Sequence, residues 1–539
     1  MKYKLLLGLL TFVASCSLAV AQQDLNQTVQ VSREYEARLM TTTKPTLPVR
    51  YSDTLNRFKL RFDYKFAERP YRDLYEFTPV HFATYQGAGV VAYPTVFANL
   101  SMAYPWMPVA DVYFQPNLGE CWSLVAYGNH RSFWGKRSTD DRMTNRLGTR
   151  VGYAWKGGDV SLGVDFENNF RSFLPDSLSH HFNKLSADLK LRSSKADRKA
   201  LYYALDIRYT QTRQQMSRPV ALLQEAVVED LVEATAEVGY TFAGDHRVLL
   251  GIESVNSFAA ENNGLLQFEP RYRYESGRWL VDAGVGLAGM YTTAAHDLEL
   301  AHIYPDVSAY FEVVYDKLWV YAHLDGENVL NTWSSLFAFN PWLTRGANVL
   351  VTQVPVRAKL GAQGVLWNVF TYNIGMSYAD IKNRLVATGD MLHPIQYDSY
   401  TGKMSAVASL LLKTKNIEAG MELNYSHYLP QSNQGSEPAT VMLMAPAWEG
   451  NAFVRYNLRE RFIFSAEADY RSAVDARMGL EGVVQLPAYL DVEARVSYVY
   501  NRKMTFYLNA DNLLNAEIQY IPGYREPGIN FGLGVCYKF

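Results

Sequence analysis

Apolar and polar residues alternate with a period of two along much of this chain. Between Tyr489 and Tyr500, Leu490, Val492, Ala494, Val496 and Tyr498 share one face, and Asp491, Glu493, Arg495 and Ser497 share the other. From Phe462 to Arg471, Phe462, Phe464, Ala466, Ala468 and Tyr470 alternate with Ile463, Ser465, Glu467, Asp469 and Arg471. The same pattern runs through Ile417–His427, Leu185–Arg192 and Tyr203–Thr210. Period two is the geometry of an extended strand with one apolar and one polar face. The runs predict strands of about 10–13 residues, well above the usual mean of about 5–6. About ten tilted residues cross a hydrocarbon core. The polar faces carry both signs of charge, as the wall of a wet lumen does. A bilayer tolerates no open sheet edge, so such strands must close on themselves. The predicted fold is all-β: a transmembrane antiparallel β-barrel.

The spacing of turns adds topology. Short connections fall at Lys156-Gly157-Gly158, Ala243-Gly244-Asp245, Ser276-Gly277, Tyr315-Asp316, Lys413-Thr414-Lys415, Leu458-Arg459-Glu460 and Asn501-Arg502, with others near Gly364 and over Ser193–Lys199. Long connections lie between them: Arg171–Ser179, Thr212–Glu229, Gly326–Asn348, Asp380–Thr401, Ser426–Ala445, Ser472–Leu486 and Asn512–Ile529. Short turns on the periplasmic side and long loops outside are the outer-membrane pattern. Nine strand pairs from Asn145 onward and a last strand, Phe531–Phe539, make nineteen. Arg57–Tyr64, His81–Ala92, Thr95–Ala103 and Glu120–Tyr127 supply three or four more, and an even total gives about 22 strands.

The N-terminus reads as an export signal. Lys2 and Lys4 precede an apolar run from Leu5 to Val13, and Ala19-Val20-Ala21 is a small-x-small cleavage site. Val13-Ala14-Ser15-Cys16 offers a rival lipoprotein reading, but cleavage there leaves an apolar stub, and a spanning barrel needs no lipid anchor. The expected organisation is a signal peptide over residues 1–21, a periplasmic or lumenal extension over 22–56 and a barrel over 57–539. The implied location is the outer membrane, crossed many times. The longest stretch free of charged side chains, Phe77–Ala110, is broken by Pro79, Pro94, Pro105 and Pro108 and cannot be a spanning helix.

Composition narrows the partners. A net charge of −2 gives no electrostatic case for nucleic acid. Aromatic residues make up 14% of the chain, including 38 tyrosines, which favour membrane–water interfaces and so name lipid as a partner. Cys121 and Cys536, 415 positions apart, form no disulfide framework.

The stretch Phe506–Phe539 resembles the C-terminal strands of TonB-dependent receptors. The matching residues are Asn512-Leu513-Leu514-Asn515, Pro522-Gly523-Tyr524, Pro527-Gly528 and the closing Phe531-Gly532-Leu533-Gly534. That resemblance implies a 22-stranded barrel. The final alternation, ending on Phe539, also resembles the signal read by the outer-membrane assembly machinery. Receptors of the family carry a plug domain and a TonB-binding box ahead of the barrel. Here Gln22–Asn56 is too short for a plug, and Val29-Gln30-Val31-Ser32 is a poor box, which argues against TonB coupling. The chain is similar to the plug-less TonB-receptor-like barrels of Bacteroidota, a likeness shared by Ile303-Tyr304-Pro305 and Asn340-Pro341-Trp342.

Candidate chemistry is sparse. No HExxH, GxSxG or CxxC occurs, so the sequence points to no enzyme, cofactor or metal centre. His180-His181 reads as a solvated loop pair, because adjacent extended residues point opposite ways. The inward charges of Asp491, Glu493 and Arg495 read as cross-strand partners lining a wet wall. The loop Asn331–Trp342 stands apart, with Trp333, Phe337, Phe339 and Trp342 in a segment otherwise expected to be solvated. These residues are candidates for a ligand or partner contact, or for a constriction formed by folding into the mouth. Two functions remain open: passage of a solute, or a non-conducting barrel that anchors an envelope complex, for instance with a lipoprotein.

Overall fold

The computed structural model describes residues 94–134, 140–173, 178–193, 201–216, 227–242, 245–292, 301–340, 343, 349–388, 395–430, 442–478 and 482–539. Among them, 22 strands form one antiparallel sheet in which each strand pairs with its neighbours along the chain. The first strand, Val96–Ala103, also pairs with the last, Asn530–Lys538, running from Phe97↔Lys538 to Ala103↔Gly532. That pairing closes the sheet into a barrel. The candidates Arg57–Tyr64 and His81–Ala92, together with residues 1–56, lie outside the described residues.

Of the ring's 22 strands, nineteen lie between Asp140 and the C-terminus, and three precede them: Val96–Ala103, Met107–Phe114 and Trp122–Phe133. The middle one is missing from the alternation reading. Pro105 and Pro108 mask it, yet Pro108 sits second in the strand, where the ladder tolerates a missing donor.

Outward faces carry the apolar residues. Leu490, Val496 and Tyr498 are exposed on the outside of Tyr489–Val499, as the alternation requires. Exposed aromatics gather toward the two ends of the strands. Trp155, Trp279, Trp367, Phe462 and Tyr498 lie near the short turns, and Trp134, Tyr291, Tyr425, Trp448 and Tyr470 toward the long loops. Trp448 and Tyr456 stand eight residues apart on one strand, roughly 20 Å along the barrel axis at the usual rise and tilt. Two aromatic girdles about that far apart bracket a hydrocarbon layer.

Among the described residues, short turns fall where the sequence places them, with one shift; those expected at Ala243-Gly244 and over Ser193–Lys199 lie largely outside the described residues. The connection expected at Gly364 lies at Trp367-Asn368, where Leu366 pairs with Phe370. Both residues are left-handed, with φ of 51° and 58°, and the Val369 N–H closes the turn on the Leu366 carbonyl at 3.2 Å. Gly364 sits within the strand Val351–Leu366, where a Cβ would run into the Lys317 carbonyl.

The long connections are shorter than expected because the strands rise past the membrane. Most of Asp380–Thr401 is strand: Phe370–Ala387 has 18 residues and Ile395–Lys413 has 19. Asn383 adopts φ 54° there, and the pairing continues past it at Arg384↔Asp398. By contrast, Val96–Ala103, Met107–Phe114 and Met504–Asp511 have 8 residues each, so the wall is tall on one side and low on the other. The expected loop Ser472–Leu486 contains a separate hairpin, Val474–Met478 with Gly482–Leu486. His180-His181 lies in the strand Leu178–Ser193 rather than in a loop.

The segment between the last two strands turns on two asparagines of the C-terminal motif. The Asn512 amide donates to the carbonyls of Ala516 at 2.9 Å and Pro527 at 3.2 Å and accepts from the Ala516 N–H at 2.7 Å. The Asn515 side chain accepts from the Ile529 N–H at 3.0 Å. Both asparagines are left-handed, with φ of 47° and 50°, a conformation Asn tolerates better than most residues. Glu526 then meets Arg142 at 3.1 Å, so this segment reaches over the low wall to the taller strand Asp140–Trp155.

Candidate functional site

The inner wall is built from the polar half of each alternation. Opposite charges pair across neighbouring strands: Arg146 with Glu167 at 2.9 Å, Lys190 with Asp206 at 2.8 Å, and Arg273 with Asp282 at 2.6 Å. Arg357 reaches both Asp325 at 2.6 Å and Glu327 at 3.1 Å. Most of the inward charge is therefore matched within the wall, as the sequence suggests. The acidic residues singled out in the sequence depart from this. Asp491 stands in register with Asp469 and Glu493 with Glu467, placing like charges opposite one another. Arg495 lies over the Tyr507 ring, 3.5 Å from its centroid.

Inward tyrosines lie flat across glycines of the adjacent strand. A Cβ at Gly286 would run into the Tyr304 ring, and one at Gly361 into Tyr321. The rings end in hydrogen bonds further along the wall: Tyr304 donates to Gln267 and to Glu269, each at 3.0 Å, and Tyr321 to Asn373 at 3.0 Å. The glycines make room for rings that would otherwise stand in the channel.

One region of the inner wall is apolar. With Leu266 and Phe268 exposed outside, Leu265 points inward. By the same parity so do Ala288, Met290, Tyr304, Leu330 and Val351. These residues form a buried cluster, and Trp333, Leu336 and Phe337 complete it. All three belong to a helix, Trp333–Phe339, in the segment the sequence singles out for its aromatics. Leu336 is fully buried, and Phe337 packs edge-on against Phe182 with ring centroids 5.2 Å apart. Trp333 and Phe337 lie 5.8 Å apart, and Phe339 packs on the cluster's margin. Trp342 lies outside the described residues.

The helix begins at Thr332, whose hydroxyl accepts the Ser335 N–H at 3.2 Å. Its first two amides, those of Trp333 and Ser334, are taken up by a residue of the wall. Glu229, second in the strand Val228–Phe242, accepts them at 2.9 and 2.8 Å, and accepts the Ser257 hydroxyl at 2.5 Å. Glu229 is fully buried. A carboxylate at a helix N-terminus satisfies orphan donors and meets the positive end of the helix dipole. Downstream, Gln214 donates to the Leu343 carbonyl at 2.7 Å. Sequence reasoning misses Glu229, which looks like any inward charge. The available signal is apolar: Leu231 and Leu265 interrupt polar faces at positions where a wet wall calls for polar residues.

Seven residues make a helix about 10 Å long and 10–12 Å across. A barrel of 22 tilted strands measures roughly 40 Å between opposite backbones. The helix therefore shapes one sector of the mouth and cannot close the lumen alone. Among the described residues no cluster of His, Cys, Asp and Glu is arranged to hold a metal ion.

The architecture defines the chain as a large membrane-type β-barrel. No protein-family model matches the sequence, and no curated protein is significantly similar to it. Solved structures do share its fold. The ferric-catecholate import receptor Fiu from K12 E. coli, in its closed form, aligns with a TM-score of 0.63 at 12% identity, covering 83% of this chain and 82% of that one. The FrpB iron transporter of Neisseria meningitidis, F5-1 variant, gives 0.66 at 8% identity over 84% and 83%. The copper transporter OprC gives 0.65 at 12% identity over 82% of each chain. At such identities the likeness is one of fold.

Proposed function

We propose that this protein is an outer-membrane barrel that takes part in the passage of a solute across that membrane. The observation that carries the reading is a closed ring of 22 strands, apolar outside and charged inside, with the fold of import receptors. A barrel serving only as an anchor has no use for so wide a hydrated bore, since about 8 strands already make a stable barrel filled by its own side chains. The C-terminal motif around Asn512 and Asn515 supports grouping the chain with TonB-receptor-like barrels, and the likeness of Ile303-Tyr304-Pro305 and Asn340-Pro341-Trp342 supports their plug-less Bacteroidota type. Swelling of liposomes that hold the full-length protein, in sugars and amino acids of graded size, tests the reading. Size-dependent swelling is expected. Impermeability to every solute, with folded barrel verified in the same vesicles, would transfer the assignment to a non-conducting anchor.

A further inference from the structure

The helix Trp333–Phe339 joins two adjacent strands of the ring, Leu318–Leu330 and Val351–Leu366. Their ladder ends at Leu330↔Val351, extended by one rung from the Asn331 N–H to the Leu350 carbonyl at 3.1 Å. Every strand pairing of the wall is complete without the helix. It can therefore leave the wall without breaking a rung of the barrel.

What holds it is separate from what holds the barrel. A helix of this length has no stability of its own in water. It rests on the apolar patch beneath it, on the Glu229 carboxylate at its start and, just past its end, on the Gln214 amide that donates to the Leu343 carbonyl at 2.7 Å. Both oxygens of that carboxylate are used: one by the Trp333 amide and the Ser257 hydroxyl, the other by the Ser334 amide. The contact is thus a single charged group at the end where the helix would first peel away.

We propose that Glu229 is a latch and the helix Trp333–Phe339 a releasable strap of the barrel mouth. Release turns Trp333, Leu336 and Phe337 away from the wall and uncovers Leu265, Met290 and Val351 within an otherwise polar lumen. The mouth then has two linings: one with this apolar sector covered by the helix, and one with it bared, offering apolar surface to a solute with an aromatic or aliphatic part. The use of that second shape rests on the solute-passage reading; the motion itself does not.

The test uses the full-length protein in outer-membrane vesicles, with Cys121→Ser and Cys536→Ser to remove background thiols. Ser334→Cys places a thiol on the buried side of the helix, and Ala338→Cys one on its exposed side. A bulky water-soluble maleimide reports access. Ala338→Cys should label quickly in every background. Ser334→Cys should label slowly with Glu229 present and at least tenfold faster with Glu229→Ala. Ser257→Ala, which removes one of three donors, should fall between. The folded barrel's mobility on unheated gels should not change. Equal Ser334→Cys rates with and without Glu229 would overturn the proposal. So would loss of the folded band in Glu229→Ala, because the carboxylate would then be supporting the wall. Impermeable vesicles with intact latch kinetics would remove the transport reading and leave the strap.

Discussion

The carboxylate of Glu229 accepts the backbone N–H of Trp333 at 2.9 Å across 104 positions of sequence. This contact fixes where the aromatic segment goes. Tryptophan and phenylalanine in a loop gain by leaving water, by roughly 25 cal/mol for each Å² buried, but that drive has no direction. The buried carboxylate supplies one, by matching the unsatisfied amides of a helix start. Substituting Leu336, the most enclosed residue of the helix, with Ala should weaken its docking by about 2–5 kcal/mol. Faster cleavage of this segment by protease added outside, with the barrel band intact, is the expected readout.

Facing on the strand Tyr489–Val499 gives a second expectation. Val492→Arg places a cation against lipid and should cost about 2–4 kcal/mol near the midplane. Ser497→Arg, on the inner face, should cost much less. Refolding into lipid vesicles from urea measures both, and equal costs would mean that the two faces are exchanged.

The tyrosine–glycine contacts predict a contrast within one strand. Gly286 and Gly289 both lie in Trp279–Thr292, yet a Cβ at Gly286 meets the Tyr304 ring and one at Gly289 meets nothing within 4 Å. Gly286→Ala should destabilise by about 1–3 kcal/mol through crowding, while Gly289→Ala should be near neutral. Adding Tyr304→Ala should remove most of the difference.

Asn512 anchors the last long segment through three hydrogen bonds. Asn512→Ala leaves buried backbone groups without partners, at a cost of about 1–3 kcal/mol. The 512–529 segment should become accessible to surface-added protease while the last strands stay paired. Unchanged protection would show that the Arg142–Glu526 contact holds the segment by itself.

The opposed carboxylates of Asp491 and Asp469 set a fifth expectation. Asp491→Lys replaces a like-charge pair with an opposite one and should raise stability slightly, by about 0.2–1 kcal/mol. In planar bilayers the same change should shift any conductance toward anions. A shift toward cations would contradict the inward placement of residue 491.

Alternation made the barrel legible because strand period and membrane thickness leave one arrangement for such residues. Even the nineteen strands after Asp140 follow from it. It failed where side-chain pattern and backbone part company. Met107–Phe114 hides behind two prolines. Asp380–Thr401 contains Asn, Asp and Gly that read as loop, but its strands continue past a left-handed Asn383. The turn lies three residues beyond Gly364 because that glycine serves the close approach of the Lys317 carbonyl rather than a reversal. Around the candidate site, the aromatics of Trp333, Phe337 and Phe339 are visible in the sequence. Their anchor is not, because nothing local distinguishes Glu229 from Glu233 or Glu237. Only the approach of a helix end from a remote segment gives it a role.

The joint between Val96–Ala103 and Asn530–Lys538 has a consequence for how the molecule comes into being. Its seven rungs unite residues more than 400 positions apart, whereas every other join links segments that follow one another along the chain. Zipping can therefore proceed hairpin by hairpin, each step local and fast, until a curled sheet with two raw edges remains. Only the final suture abolishes those edges, and it waits until both extremities of the wall have arrived. A polypeptide shortened by either terminal strand would be complete in all but one seam and still be an open, adhesive sheet. Such a barrel is finished in a single act, and its shortest strands guard that act.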